Sequence, residues 1–119
     1  MGKRILFVDD DKDWRFLLET ALKDAGYSIV TAQDATEALG KAEEFQPELV
    51  IVDLNLAGED GLMLMKFLKE NNPGVRIMLY TGMDEDAESI MRALEQGAYS
   101  YVRKGSPEEL LREIELVFQ

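Results

Sequence analysis

The chain has 119 residues, enough for one domain with a substantial core, and its formal net charge is −11. It contains no cysteine and no histidine, which excludes disulfides, thiolate or imidazole metal sites, Cys nucleophiles and any His general base. So acidic a surface repels a phosphate backbone, which argues against nucleic-acid binding by the domain itself.

The N-terminal apolar run, Ile5 to Val8, is too short for a signal-peptide core or a membrane span, so a cytoplasmic protein with no membrane partner is expected. The run is instead strand-like, and Leu49–Val52 and Ile77–Tyr80 match it. Continuous apolar runs of this length suit strands buried on both faces. Ser28–Ala32 and Ser100–Arg103 are more mixed and suit the edges of a sheet.

Helical patterns alternate with the strands. Trp14, Leu17, Leu18, Ala21, Leu22 and Ala25 recur at spacings of three and four, predicting one apolar helix face stopped by Gly26. Ala38, Leu39, Ala42 and Phe45 predict a second helix, ended by Pro47. Leu64, Phe67 and Leu68 predict a third, closed by Asn71 to Gly74. Ala87, Ile90, Met91 and Leu94 predict a fourth, stopped by Gly97. Leu110, Ile114 and Val117 predict a fifth, with Ser106 as N-cap and Pro107 at its first position.

A β-α alternation repeated five times implies an α/β fold: a doubly wound parallel five-stranded sheet with helices on both faces. Three internal and two edge strands fit the order 2-1-3-4-5. No linker or low-complexity tract divides the chain, so residues 1–119 read as one domain.

In open α/β sheets, ligands bind beyond the carboxyl ends of the strands, where the strand order reverses. The first strand runs into Asp9, Asp10 and Asp11, and the third into Asp53. The fourth ends at Thr81, and the fifth leads to Lys104. Alone, each has a plainer role: Asp10 or Asp11 as helix cap, Asp53 as turn residue, Thr81 as strand residue or cap, Lys104 as solvated charge. Their convergence on one sheet edge outweighs those separate readings. Crowded carboxylates call for a cation, and an all-oxygen donor set selects a hard ion, Mg²⁺ with Mn²⁺ as substitute. Carboxylates, a hard cation, a hydroxyl and a lysine suit phosphoryl chemistry, which needs chiefly positioning and charge neutralisation.

Four segments then carry a resemblance: Ile5 to Asp10; Val50 to Leu56 with Asp60-Gly61; Met78 to Gly82; and Gly97-Ala98 through Tyr101 to Lys104. Together they resemble the receiver domain of two-component response regulators, over essentially the whole chain. The resemblance implies a flavodoxin-like three-layer (βα)5 sandwich with the same strand order. It implies that Asp53 is the phosphoacceptor for a sensor histidine kinase or phosphotransfer protein. Asp10, Asp53 and the carbonyl of Asn55 would ligate Mg²⁺, with Asp9 acting through water. Lys104 and Thr81 would contact the phosphoryl group, with Gly82 leaving room for it. Tyr101 would turn inward as the switch. The fourth helix, fifth strand and fifth helix would be read by a downstream protein target or a fused output domain. Asn55 and Met83 stand where the family tunes hydrolysis, which implies an intermediate phosphoryl lifetime. The domain would be a regulator that assists its own phosphorylation and dephosphorylation, not an enzyme with a separate substrate.

Two departures stand out. Gly105 follows Lys104 where the family usually has proline, and Leu56-Ala57-Gly58 replaces a common Met-Pro-Gly. Gly105 keeps alive a receiver-like interaction module that is never phosphorylated. A haloacid-dehalogenase-like phosphatase is disfavoured because Asp13 stands where its Asp-x-Asp-x-Thr signature needs Thr or Val. A calcium loop is disfavoured because Trp14 occupies the position of its glycine.

Overall fold

The computed structural model describes residues 2–54, 56, 61–82, 86–105 and 107–119. Five strands alternate with five helices, as the periodicity predicts. They are β1 (Arg4–Val8), α1 (Lys12–Asp24), β2 (Ser28–Ala32), α2 (Ala35–Phe45), β3 (Leu49–Val52), α3 (Gly61–Asn71), β4 (Arg76–Thr81), α4 (Ala87–Glu95), β5 (Ser100–Arg103) and α5 (Pro107–Val117). All neighbouring strands pair in parallel, in the order β2-β1-β3-β4-β5.

Alternation along each strand divides the core between the two sheet faces. Leu6, Val8, Val50, Val52, Ile77 and Leu79 pack with residues of α2, α3 and α4. Ile5, Phe7, Leu49, Ile51, Met78 and Tyr80 pack with residues of α1 and α5. All four residues of β3 are buried, so its continuous apolar run reflects cover on both faces.

Short acidic side chains start three of the helices. Asp11, Asp34 and Asp86 accept hydrogen bonds from the amides of Asp13, Glu37 and Ser89, respectively. Gly26 and Gly97 follow the last turns of α1 and α4 with φ of 97° and 114°, the stops read from sequence. The stop of α2 differs in detail: Gln46 takes the left-handed conformation at φ 54°, and Pro47 follows it. Pro107 opens α5 as expected, while the Ser106 cap lies outside the described residues.

Five residues assigned to apolar helix faces are exposed instead, the small Ala25 and Ala87 and three larger side chains. Leu17, Phe67 and Met91 are 41%, 41% and 55% accessible. Each stands one position from a buried residue (Leu18, Leu68 and Ile90), hence about 100° around its helix. The buried stripes are narrower than the sequence pattern, and Met65 and Ala93 complete them in α3 and α4.

Candidate functional site at the carboxyl edge of the sheet

The sheet's hydrogen-bond ladder continues one residue past the strands and thereby builds the site. The Asp9 amide donates to Ala32 O at 3.0 Å, and the Asp53 amide donates to Val8 O at 2.9 Å. The Lys104 amide donates to Thr81 O at 2.7 Å. Backbone pairing therefore sets Asp9 beside Asp53, and Lys104 beside Thr81, before any side-chain contact is made. Asp9, Asp53 and Thr81 are the buried polar side chains among the described residues.

Lys104 joins the two buried carboxylates. Its Nζ lies 2.6 Å from Asp9 Oδ2 and donates to Asp53 Oδ2 at 3.3 Å. The close Lys104–Asp9 contact is an ion pair in which the Asp9 carboxylate is fully buried. Asp9 Oδ1 accepts from the Asp11 amide at 2.9 Å, and Arg15 Nη1 donates to the Asp9 carbonyl at 2.7 Å. Burial pushes the Asp9 carboxyl above its usual 3.8, against the opposing pull of Lys104 and the Asp11 amide. Burial also works to lower the Lys104 ammonium, but Asp9 and Asp53 outweigh it and hold the group above its usual 10.5.

Asp10 is exposed, yet Asp9, Asp10 and Asp53 each offer a carboxylate oxygen within 4.8 Å of the others. Three such oxygens fit a hard divalent cation. Burial, which already favours a proton on Asp9, makes further positive charge at the cluster favourable. Beside them, the Thr81 hydroxyl is fully buried with no hydrogen-bond partner among the described residues. An unpaired buried hydroxyl costs stability and needs a functional account, such as an incoming ligand oxygen.

Other expected residues fall as follows. Asp11 is the N-cap of α1 rather than part of the cluster. Asn55, Asp60, Met83 and the Ala57-Gly58 pair lie outside the described residues. The Gly82 carbonyl accepts from Arg103 Nη1 at 3.0 Å, so β5 grips the start of the segment after Thr81. Tyr101 stands apart from the acids, opposite Leu79 in the β4–β5 register, and is 44% exposed. Gly105 donates its amide to Tyr80 Oη in a long bond of 3.5 Å, which proline could not form.

Sequence reading missed Arg15, Tyr80 and Arg103, whose polar atoms meet backbone groups of the site. It placed Trp14 only on the apolar face of the first helix. A residue type does not reveal such contacts; only the strand parity of Tyr80, on the face of Val102, hinted at one. A cavity of about 430 Å³ lies instead between α2 and α3, at the amino end of the strands. Its lining includes Leu39, Val50, Leu68 and Val75 with Glu43 as the sole charge, and it gathers no reactive set.

The model of the response regulator receiver domain family matches residues 5–115, and the chain belongs to this family. It is 35% identical to the alkaline phosphatase synthesis transcriptional regulatory protein PhoP of Bacillus subtilis, over 100% of this chain and 50% of that protein. It is 36% identical to the nitrogen assimilation regulatory protein NtrX of Azorhizobium caulinodans, over 87% of this chain and 23% of that protein. The chain thus spans half or less of the length of these relatives. Among solved structures, a CheY-like receiver from Methanospirillum hungatei superposes with TM-score 0.89 at 31% identity, covering 97% of this chain and 92% of the other. Chemotaxis protein CheY4 of Vibrio cholerae gives 0.91 at 28% identity, covering 98% and 99%. The family is one of regulators whose standard function is a phosphorylation switch, and the fold is the flavodoxin-like one expected from the strand order.

Proposed function

We propose that this domain is a signalling switch that takes a phosphoryl group on Asp53. The observation that carries the reading is the meeting, at one sheet edge, of Asp9, Asp10 and Asp53 with Lys104 and with the buried Thr81 hydroxyl, which has no hydrogen-bond partner among the described residues. An Asp53 oxygen attacks the phosphorus of a phosphohistidine. The P–O bond forms as the P–N bond breaks, and the electron pair leaves with the imidazole nitrogen. Lys104 then moves its charge onto the phosphoryl oxygens, and the Thr81 hydroxyl donates a hydrogen bond to one of them. Asp10 and Asp53 would hold Mg²⁺ directly together with the Asn55 carbonyl, and Asp9 would hold it through water. Bound there, the ion neutralises the carboxylates and the transferring phosphoryl group.

The donor would be a sensor histidine kinase or a phosphotransfer protein. Movement at Thr81 reaches the surface through β4 and β5, where Met91, Tyr99 and Tyr101 are exposed. That surface of α4, β5 and α5 would engage a downstream protein or an output domain. PhoP is named a transcriptional regulatory protein, and NtrC of Escherichia coli a DNA-binding transcriptional regulator. By analogy the output here would be control of transcription by a partner or attached domain, in the cytoplasm, with residues 1–119 forming the single receiver unit.

Mass spectrometry after incubation with acetyl phosphate and Mg²⁺ tests this. One phosphoryl mass is expected on the native chain and none on Asp53→Ala. A native chain that stays unmodified would favour the interaction module that is never phosphorylated. Equal modification of Asp53→Ala would move the site elsewhere.

A further inference from the structure

Lys104 leaves β5 on the face that carries Val102, the side of α1 and α5. Aromatic side chains meet it there. Lys104 Nζ lies 5.2 Å from the Trp14 ring centroid. Trp14 packs edge-on against Tyr80 at 5.6 Å and 88°, and Tyr80 against Phe7 at 6.2 Å and 64°. Phe7 and Tyr80 are fully buried, so the stack is anchored in the core and ends at the ammonium. The Tyr80 hydroxyl also accepts the Gly105 amide, in the loop that carries Lys104.

A lysine ammonium is a point charge on a flexible stem, and the glycine after it adds no stiffness to the loop. Asp9 and Asp53 alone would let the ammonium settle on whichever carboxylate is nearer. An aromatic face adds a third contact, attractive to a cation yet weak enough to yield to a phosphoryl group. Helix α1 supplies that face one turn after the acidic residues.

We propose that Trp14 is a positioning residue for Lys104: its indole face holds the ammonium poised over the acidic site, and Tyr80 buttresses both the indole and the Lys104–Gly105 loop. The role in catalysis rests on the reading that Lys104 serves a phosphoryl group on Asp53.

Phosphorylation by acetyl phosphate with Mg²⁺ is measured for Trp14→Leu and Trp14→Phe, in the native and Lys104→Met backgrounds. Circular dichroism checks the fold of each. Trp14→Leu is expected to slow phosphorylation about two- to fivefold, the worth of one partly exposed cation–π contact. Trp14→Phe recovers most of the loss, and in Lys104→Met the Leu substitution changes nothing further. Equal losses in both backgrounds, or a Phe variant as slow as Leu, would show that Trp14 acts by packing alone and overturn the proposal. Trp14 is the chain's single tryptophan, so its fluorescence reads the contact without phosphorylation. Lys104→Met is expected to change its emission, and an unchanged spectrum overturns the contact even if Lys104→Met proves inactive. A native chain that gains no phosphoryl group would instead overturn the proposed function, with the emission still deciding whether the indole holds Lys104.

Discussion

Asp9 carries the tension of the site. It is fully buried, and its carboxyl holds a proton more tightly than it would in the unfolded chain. Its ionisation therefore works against the metal-free fold, whose stability on this account grows as pH falls through the raised value and stops growing below 3.8. Asp9→Asn should accordingly raise the metal-free melting midpoint at neutral pH while weakening Mg²⁺ binding at least about tenfold, the usual order for losing a carboxylate that supports the ion. Thermal melts and a Mg²⁺ titration read the two effects, and a lower midpoint would mean that the Lys104 pairing outweighs burial. Lys104 and Tyr80 act at the other end of the scale. Both hold their protons above the usual 10.5 and 10.0, Lys104 despite burial and Tyr80 because of it. Their contribution is complete below those values and is lost as pH rises through the raised ones. Alkaline unfolding should begin near those values, and Tyr80→Phe should flatten its pH dependence. An unchanged slope would remove Tyr80 from this account.

Among elements, α1 separates capping from chemistry. Asp11 belongs to the acidic run, but its side chain caps the helix with a 2.8 Å bond to the Asp13 amide. Asp11→Ala should cost about 1 kcal/mol of stability and leave Mg²⁺ affinity within about twofold. Urea unfolding and the same Mg²⁺ titration test this, and a large loss of affinity would place Asp11 back in the site. At the start of α3, Gly61 is confined by close approach. A Cβ there would lie 2.6 Å from the Leu54 carbonyl, one residue beyond Asp53. Gly61→Ala must push that backbone aside, at about 1–3 kcal/mol, the cost of overpacking a tight contact. It should also weaken Mg²⁺ binding, because the displaced segment carries Asp53. Full stability in urea would show that the segment yields freely.

For the whole molecule, the proposed function couples the fold to its ligand. A phosphoryl mimic bound with Mg²⁺ engages the native site only, so Mg²⁺ with beryllofluoride should stabilise the domain by about 2.7 kcal/mol at a hundred times its dissociation constant. Asp53→Ala should show no such gain, and a native melting midpoint unmoved at millimolar concentrations would sink the ligand reading. The net charge of −11 adds a second expectation. Self-repulsion favours expansion, so moderate salt that screens it should raise the midpoint of the ligand-free chain.

Strand and helix order, the two-faced sheet and the positions of Asp9, Asp53, Thr81 and Lys104 were legible from the residues alone. The reason is local: continuous apolar runs mark doubly covered strands, and the polar residue that ends each run must fall at the sheet's carboxyl edge. The tertiary structure alone decided which acid joins the carboxylate cluster and which caps, because Asp10 and Asp11 differ only in where α1 begins. It exposed Leu17, Phe67 and Met91, since the width of a buried stripe depends on what packs against the helix. It also brought Trp14 and Tyr80 to Lys104, a meeting of residues from a helix, a strand and a loop far apart in the chain. No local pattern encodes that meeting, because the parallel pairing of β4 with β5 and the packing of α1 on that face create it.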